Sequence, residues 1–391
     1  IVVDNFIFNL KKYSLITNDS STATVEPTFS IHRSTQEISL TYLIKLLALE
    51  KNKDFLQNIS SVLEKYMAKA IDEDNILMIN LLAGHSEKFL THINLLNNII
   101  KGLIGGQLGF IYFYLGYDIK AKETLEKSLS YLNKNYIEKN SKVARILLNL
   151  GSVYRYLGHH EKAKKLIEKS LIIYKKSFSE NHIEIAWSIV ALGIVNRELG
   201  NYEKSKKLLE QSLLIYEKYF TENTLDIAWS LTQLGHTYKY LGNYQKSKNL
   251  LQRAFKIYQK SFGDSHPKTA LVFGYLGNVY MELGHYERAK KLIETGYIIN
   301  KDHYPENCLQ QGWSLLNLGV IYQKLNNFEK AQSLIEQSVV TLENLLESEN
   351  IKLLDALVYL GEIYKERGYY EKAKSLFKKC LLMCEKRYGK Q

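Results

Sequence analysis

The chain has 391 residues, a formal net charge of +11, 46% hydrophobic residues and only three prolines and three cysteines. That hydrophobic share excludes a disordered chain, three cysteines exclude a disulfide framework, and scarce proline favours long helices. An all-α protein in a reducing, cytoplasmic setting is expected. The chain opens on Ile1, and the run to Leu10 lacks the basic start and apolar core of a signal peptide, so the sequence reads as a fragment of a longer protein.

In chain order, Phe8-Asn-Leu-Lys-Lys-Tyr-Ser-Leu-Ile16, a polar stretch and Thr28-Phe-Ser-Ile-His-Arg-Ser-Thr-Gln-Glu37 come first. These segments resemble the last part of the winged-helix domain in NB-ARC-type STAND nucleotide switches, where a short hairpin runs into a Ser-Ile-His-Arg helix start. The resemblance implies a winged-helix remnant over residues 1–50. It makes His32 a nucleotide-contact candidate, because the helix-starting histidine of that domain touches the bound nucleotide. ADP or ATP would then belong to the intact protein. This chain has no Gly-x-x-x-x-Gly-Lys-Ser/Thr loop, so no cofactor is expected in it and it should not hydrolyse ATP alone. A plainer reading makes residues 1–50 a hairpin or helical cap over the apolar end of a repeat array.

Residues 51–100 read as a helical connector. Leu40–Ala70 has helical apolar spacing, and Gly84-His-Ser-Glu-Lys-Phe89 copies the turn and helix start at Gly158-His-His-Glu-Lys-Ala163. Residues 75–100 therefore read as a degenerate, shorter first repeat. Ile99–Gly116 is apolar enough to suggest a membrane span, but it carries Lys101, Gln107 and several glycines, and a repeat helix explains it better.

From residue 101 to 391 a Leu-Gly-x-x-Tyr-like block recurs with its glycine at Gly109, Gly151, Gly193, Gly235, Gly277, Gly319 and Gly361, always 42 residues apart. A fixed period of this size marks a stacked repeat. Tyr112, Tyr154, Tyr238, Tyr280, Tyr322 and Tyr364 keep the same phase, with Asn196 the departure. Gly116, Gly158, Gly200, Gly242, Gly284 and Gly368, with Asn326, should end each first helix in a left-handed conformation. Second helices open on blocks such as Tyr202-Glu-Lys-Ser-Lys and carry small residues at Ala163, Ser205 and Ala289, which let antiparallel helices approach. These columns resemble the tetratricopeptide repeat in the long form seen in kinesin light chains. The resemblance implies a right-handed superhelical solenoid of seven helix pairs.

In that family the concave surface is lined by the first helices. Six residues before the repeat glycine stand Arg145, Trp187, Trp229 and Trp313, so all three tryptophans fall in one column. Other first-helix columns contribute Asn149, Gln233 and Asn317, then His236 and Asn278, then Arg155, Arg197 and Lys239. Amides pair with peptide backbone, and tryptophan and arginine anchor side chains, so this set is the candidate ligand groove. The alternative is that the tryptophans only pack against the adjacent repeat.

Nothing in the spacing supports an enzyme or a metal site. Cys380 and Cys384 share a helix face, but no histidine completes a ligand set, and Gly102-x-x-Gly105-Gly106-x-x-Gly109 reads as helix packing rather than a phosphate loop. Residues 101–391 carry 43 basic and 30 acidic side chains, mostly in Glu-x-x-x-Lys faces. Acidic protein or peptide partners fit that balance; nucleic acid and membrane are disfavoured. Two functions follow. One is the ligand sensor of a STAND-type signalling ATPase, self-associating through a nucleotide domain outside this sequence. The other is a stand-alone adaptor of kinesin-light-chain type binding linear motifs.

Overall fold

The computed structural model describes residues 16–19, 28–31, 62–63, 65–67, 69–71, 76–91, 96–132, 140–220, 224–306, 308–346 and 350–388. Strands β1 (Ile16–Asp19) and β2 (Thr28–Ile31) form an antiparallel hairpin with Ile16 opposite Ile31. A hairpin was expected here, but Ser30 and Ile31 belong to the strand and do not start a helix. His32 and the remainder of the expected winged-helix remnant lie outside the described residues.

Helix α1 (Ile76–Thr91) runs unbroken through Gly84, where the sequence suggested a turn. Burial explains the continuity. Ile79, Leu82, Ala83 and Ser86 form one buried face on both sides of the glycine, and the Ser86 hydroxyl donates back to Leu82 O at 2.7 Å.

Helix pairs follow in register with the period. They are α2 (Asn98–Tyr114) with α3 (Asp118–Ser130), α4 (Ser141–Tyr156) with α5 (His160–Ser177), and α6 (Ile183–Glu198) with α7 (Tyr202–Tyr219). Next come α8 (Leu225–Tyr240) with α9 (Tyr244–Phe262) and α10 (Pro267–Glu282) with α11 (Tyr286–His303). The last are α12 (Leu309–Lys324) with α13 (Phe328–Leu345) and α14 (Ile351–Glu366) with α15 (Tyr370–Tyr388). Every second helix from α3 to α13 also packs on the first helix of the next pair, which makes the array an all-helical solenoid.

Local chemistry sets these boundaries. Asn140, Asn350, His182 and His266 cap first helices by accepting from a backbone N–H two residues on. The two histidines stack on Phe178 and Phe262, so packing holds the caps in place. First helices stop where Gly158 and its equivalents turn to φ between 74° and 87°, and Asn326 does the same at 59°.

The repeat glycine is a matter of contact rather than flexibility. A Cβ on Gly235 would lie 2.9 Å from Leu251 Cγ, and the same clash recurs between Gly151 and Ile167 and between Gly319 and Ile335. Each pair thus closes glycine against a fully buried aliphatic residue, whose burial contributes about 1.5–3 kcal/mol. The Gly102–Gly109 run behaves alike: added Cβ atoms would meet Leu132, Ser128, Ile146 and Leu125.

Side-chain bonds stitch neighbouring layers. Ser170 and Ser338 hydroxyls donate to Ala144 O and Gly312 O across their own pairs, both at 2.7 Å. The column tyrosine reaches back one repeat: Tyr238 donates to Glu210 at 2.7 Å and Tyr364 to Glu336 at 2.8 Å, and Tyr154 pairs with Glu126 and Tyr322 with Glu294.

Candidate functional site

The twelve groove positions all stand on first helices, and each is buried or half-buried. Arg145, Asn149 and Arg155 lie on α4, Trp187 and Arg197 on α6, and Trp229, Gln233, His236 and Lys239 on α8. Asn278 lies on α10, and Trp313 and Asn317 on α12.

Many of these side chains bridge one repeat to the next. Arg145 pairs with Glu184 while its guanidinium lies 4.2 Å over the Trp187 ring. Trp187 Nε1 donates to Asp226 at 2.8 Å, and Gln323 donates to Glu362 at 3.1 Å. Further along the same helices, Arg155 pairs with Glu198 at 2.9 Å and Lys239 with Glu282 at 3.3 Å. Arg197 donates to Gln233 Oε1 at 3.1 Å. The wall is therefore a ladder of inter-repeat pairs, and Trp187 takes part in the packing that the sequence left as an alternative.

The array also coils back on itself. Asn350 Nδ2 donates to Leu157 O at 2.6 Å, and the Tyr156 and Trp313 rings lie 5.0 Å apart. Gly116 faces Tyr304, Pro305 and Cys308. Turns after α2 and α4 thus meet loops before α12 and α14, and the first helices enclose a narrow axis.

Charged groups concentrate where the coil closes. Burial works to raise the Glu198 carboxyl, but Arg155, then Arg197, His160 and Lys352, outweigh it and hold it below the ordinary value. Burial, helped by Arg197, Lys352 and Lys239, pushes His236 well below the usual histidine range, so it is neutral at pH 7. Burial raises the Tyr275 hydroxyl to about 12, and its ring stacks on His236 at 4.0 Å. Asp118, 4% exposed, is pushed up to about 7 by burial, against Arg155 and the backbone of Leu309.

Several buried polar atoms of this wall have no hydrogen-bond partner: His236 Nδ1, Asn278 Oδ1, Gln310 Oε1, Trp313 Nε1 and Gln323 Oε1. They offer an indole donor beside the Tyr156 ring, an imidazole nitrogen stacked on the Tyr275 ring, and amide acceptors. That composition can pair with peptide backbone and bury side chains; it contains no nucleophile held against a general base.

Sequence reasoning missed Asp118, Tyr156, Glu198, Tyr275 and Lys352. Tyr275 was findable, because it occupies the column of Asn149, Gln233 and Asn317. Glu198 and Glu282 follow, by 43 residues, cationic positions of the preceding repeat, a spacing that announces inter-repeat ion pairs. Asp118 and Lys352 gave no such signal, since their roles depend on the closure.

The family profile described as tetratricopeptide repeat matches residues 103–176, 142–218, 226–297 and 309–389. No curated protein matches the chain. Among solved structures, a Rap protein complexed with competence and sporulation factor is similar at 15% identity and a TM-score of 0.57, over 84% of this chain and 98% of that one. The APC/C hetero-tetramer Cut9-Hcn1 is similar at 16% identity and 0.51, over 90% of this chain and 57% of that one. A BtubC (BKLC) structure from P. vanneervenii is similar at 17% identity and 0.44, over 61% and 92%. Among the described residues no helix is long and apolar enough to cross a membrane.

Proposed function

The chain belongs to the tetratricopeptide repeat family, and from that premise we propose that it is a protein-binding array that holds an extended peptide segment along its inner wall. The observation that carries this reading is the set of unpartnered atoms Asn278 Oδ1, Trp313 Nε1 and Gln323 Oε1. Each buried group left without a partner costs about 1–3 kcal/mol, a cost that the N–H and C=O groups of a bound segment would remove. Around Glu198 and His236 on the same wall, Arg155, Arg197, Lys239 and Lys352 outnumber the carboxylates Glu198 and Glu282 that pair with them, and that excess favours a segment with acidic side chains. The similar Rap protein, complexed with competence and sporulation factor, gives support by analogy of fold.

Selection of displayed random peptides on this chain tests the proposal. Acidic binders should lose about tenfold or more in affinity against Asn278→Ala or Trp313→Phe, with the melting temperature unchanged. The reading fails if no peptide binds, or if no inner-wall substitution affects those that do.

A second reading places the array in a STAND-type switch, with residues 1–50 as winged-helix remnant, 51–100 as connector and 101–391 as sensor. The β1–β2 hairpin is common to this reading and to a cap over the end of the array. In that mechanism the array holds a nucleotide domain at rest, His32 faces the nucleotide, and ligand shifts the population towards self-association. Nucleotide binding and oligomer size, measured on the longest natural form with and without residues 101–391, decide it. Nucleotide-dependent assembly released by removing the array supports the switch. No nucleotide binding and constant size favour the stand-alone adaptor.

A further inference from the structure

Two turns of the array are covered and their later copies are not. Gly116 and Gly158, which follow α2 and α4, are buried, whereas Gly200, Gly242, Gly284 and Gly368 are exposed, with no atom within 4 Å of an added Cβ. Helix caps differ in the same way. Cys308 and Asn350 are only 2% and 3% exposed, while Asn140, His182 and Thr224 at the equivalent position are half-buried. His266, the remaining cap, lies against the local rings of Phe262 and His303.

The covered turns and the covered caps cover each other. Gly116 faces Cys308, a Cβ on Gly158 would strike Asn350, and Asn350 donates to Leu157 O. With the Tyr156–Trp313 ring contact these form one dry seam between the turns after α2 and α4 and the starts of α12 and α14. The seam also shuts off the inner wall. Asn278 Oδ1, Trp313 Nε1 and Gln323 Oε1 are shielded from solvent, so a segment cannot touch them in this form, and Trp313 is itself held in the seam. Each repeat contacts mainly its neighbours, so small rotations summed over the intervening layers part the seam while every helix pair stays packed.

We infer that the seam is an autoinhibitory latch, which has to part before a peptide segment reaches the inner wall. The inference rests on the peptide-binding reading above and adds its regulation. Apparent affinity is then the intrinsic affinity reduced by the fraction of molecules that are open, so whatever strengthens the seam weakens binding.

A reversible lock tests it. Gly116→Cys sets a Cβ 3.7 Å from that of the native Cys308, a separation that suits a disulfide, and mass spectrometry of the cross-linked fragments verifies the bond. The probes are acidic peptides selected on the reduced 391-residue chain and sensitive to Trp313→Phe, followed by fluorescence anisotropy. Oxidised Gly116→Cys should bind them about tenfold or more weakly than the same protein reduced, while the unsubstituted chain ignores the redox state. Asn350→Ser keeps a capping oxygen for α14, drops the bond to Leu157, and should bind about fivefold more tightly. Equal binding by the oxidised and reduced protein overturns the latch and leaves the peptide reading standing, as does failure of the disulfide to form. If the left-handed backbone at Gly116 does not tolerate cysteine, unchanged binding by Asn350→Ser overturns the latch by itself. Absence of any binding peptide overturns both.

Discussion

Asn350 and Leu157 are 193 residues apart in sequence, yet the asparagine side-chain N–H meets the leucine carbonyl at 2.6 Å. The same side chain caps α14, its Oδ1 accepting from Lys352 N at 2.8 Å. One residue thus starts a helix and closes the superhelix with opposite ends of its amide.

That division of labour is separable. Asn350→Asp keeps the cap and places a carboxylate oxygen against the Leu157 carbonyl, so small-angle scattering should show a larger radius of gyration at unchanged helicity. Asn350→Ala loses both functions and should cost about 1–3 kcal/mol in urea unfolding. An unchanged radius in the Asp variant would mean that the closure does not need this bond.

Asp118 should make the stability of the fold pH-dependent. Burial raises its folded value to about 7, while an unfolded aspartate titrates near the ordinary 3.9. Between those two values the unfolded chain has released a proton that the folded chain still holds. Stability from this group is greatest at low pH, falls as pH rises through that window, and stays at its minimum above 7. Asp118→Asn should flatten that slope and raise stability at pH 8. Matching urea midpoints for both proteins across the series would refute it.

Two glycines on related helices should respond oppositely to alanine. Gly235→Ala forces a Cβ against Leu251 and should cost about 1–3 kcal/mol, and its cost should shrink in a Leu251→Ala background, so that the two losses are less than additive. Gly274, in the interior of α10, has no atom within 4 Å of an added Cβ, and Gly274→Ala should gain about 0.5–1 kcal/mol. Equal effects would remove the contact argument for the repeat glycine.

The tyrosine column offers an internal control. Tyr238→Phe loses the bond to Glu210 and should cost about 1 kcal/mol. Tyr280 faces the column in which Gln252 replaces glutamate, and Tyr280→Phe should be near neutral. Thermal melts of the two variants check the difference.

Much of this molecule is legible in columns. The 42-residue period located the helix pairs, Gly158 and its equivalents located the turns, and small residues such as Ser170 located the helix contacts, because each feature is local and repeated. The expected turn at Gly84 failed for a related reason: one matching hexapeptide outside the period carries less weight than a continuous buried face through Ile79, Leu82, Ala83 and Ser86.

The inner wall divides along the same line. Residue type and phase, read from the sequence, assigned Trp187, Arg197, Gln233 and His236 to the first helices of an all-helical solenoid. The tertiary structure alone decided that Tyr156 meets Trp313, that Asn350 meets Leu157, and that Asp118 is dehydrated beside Leu309. Those encounters depend on the small rotation each repeat adds to the last. Summed over several repeats, it brings distant turns together, and no single column records that sum.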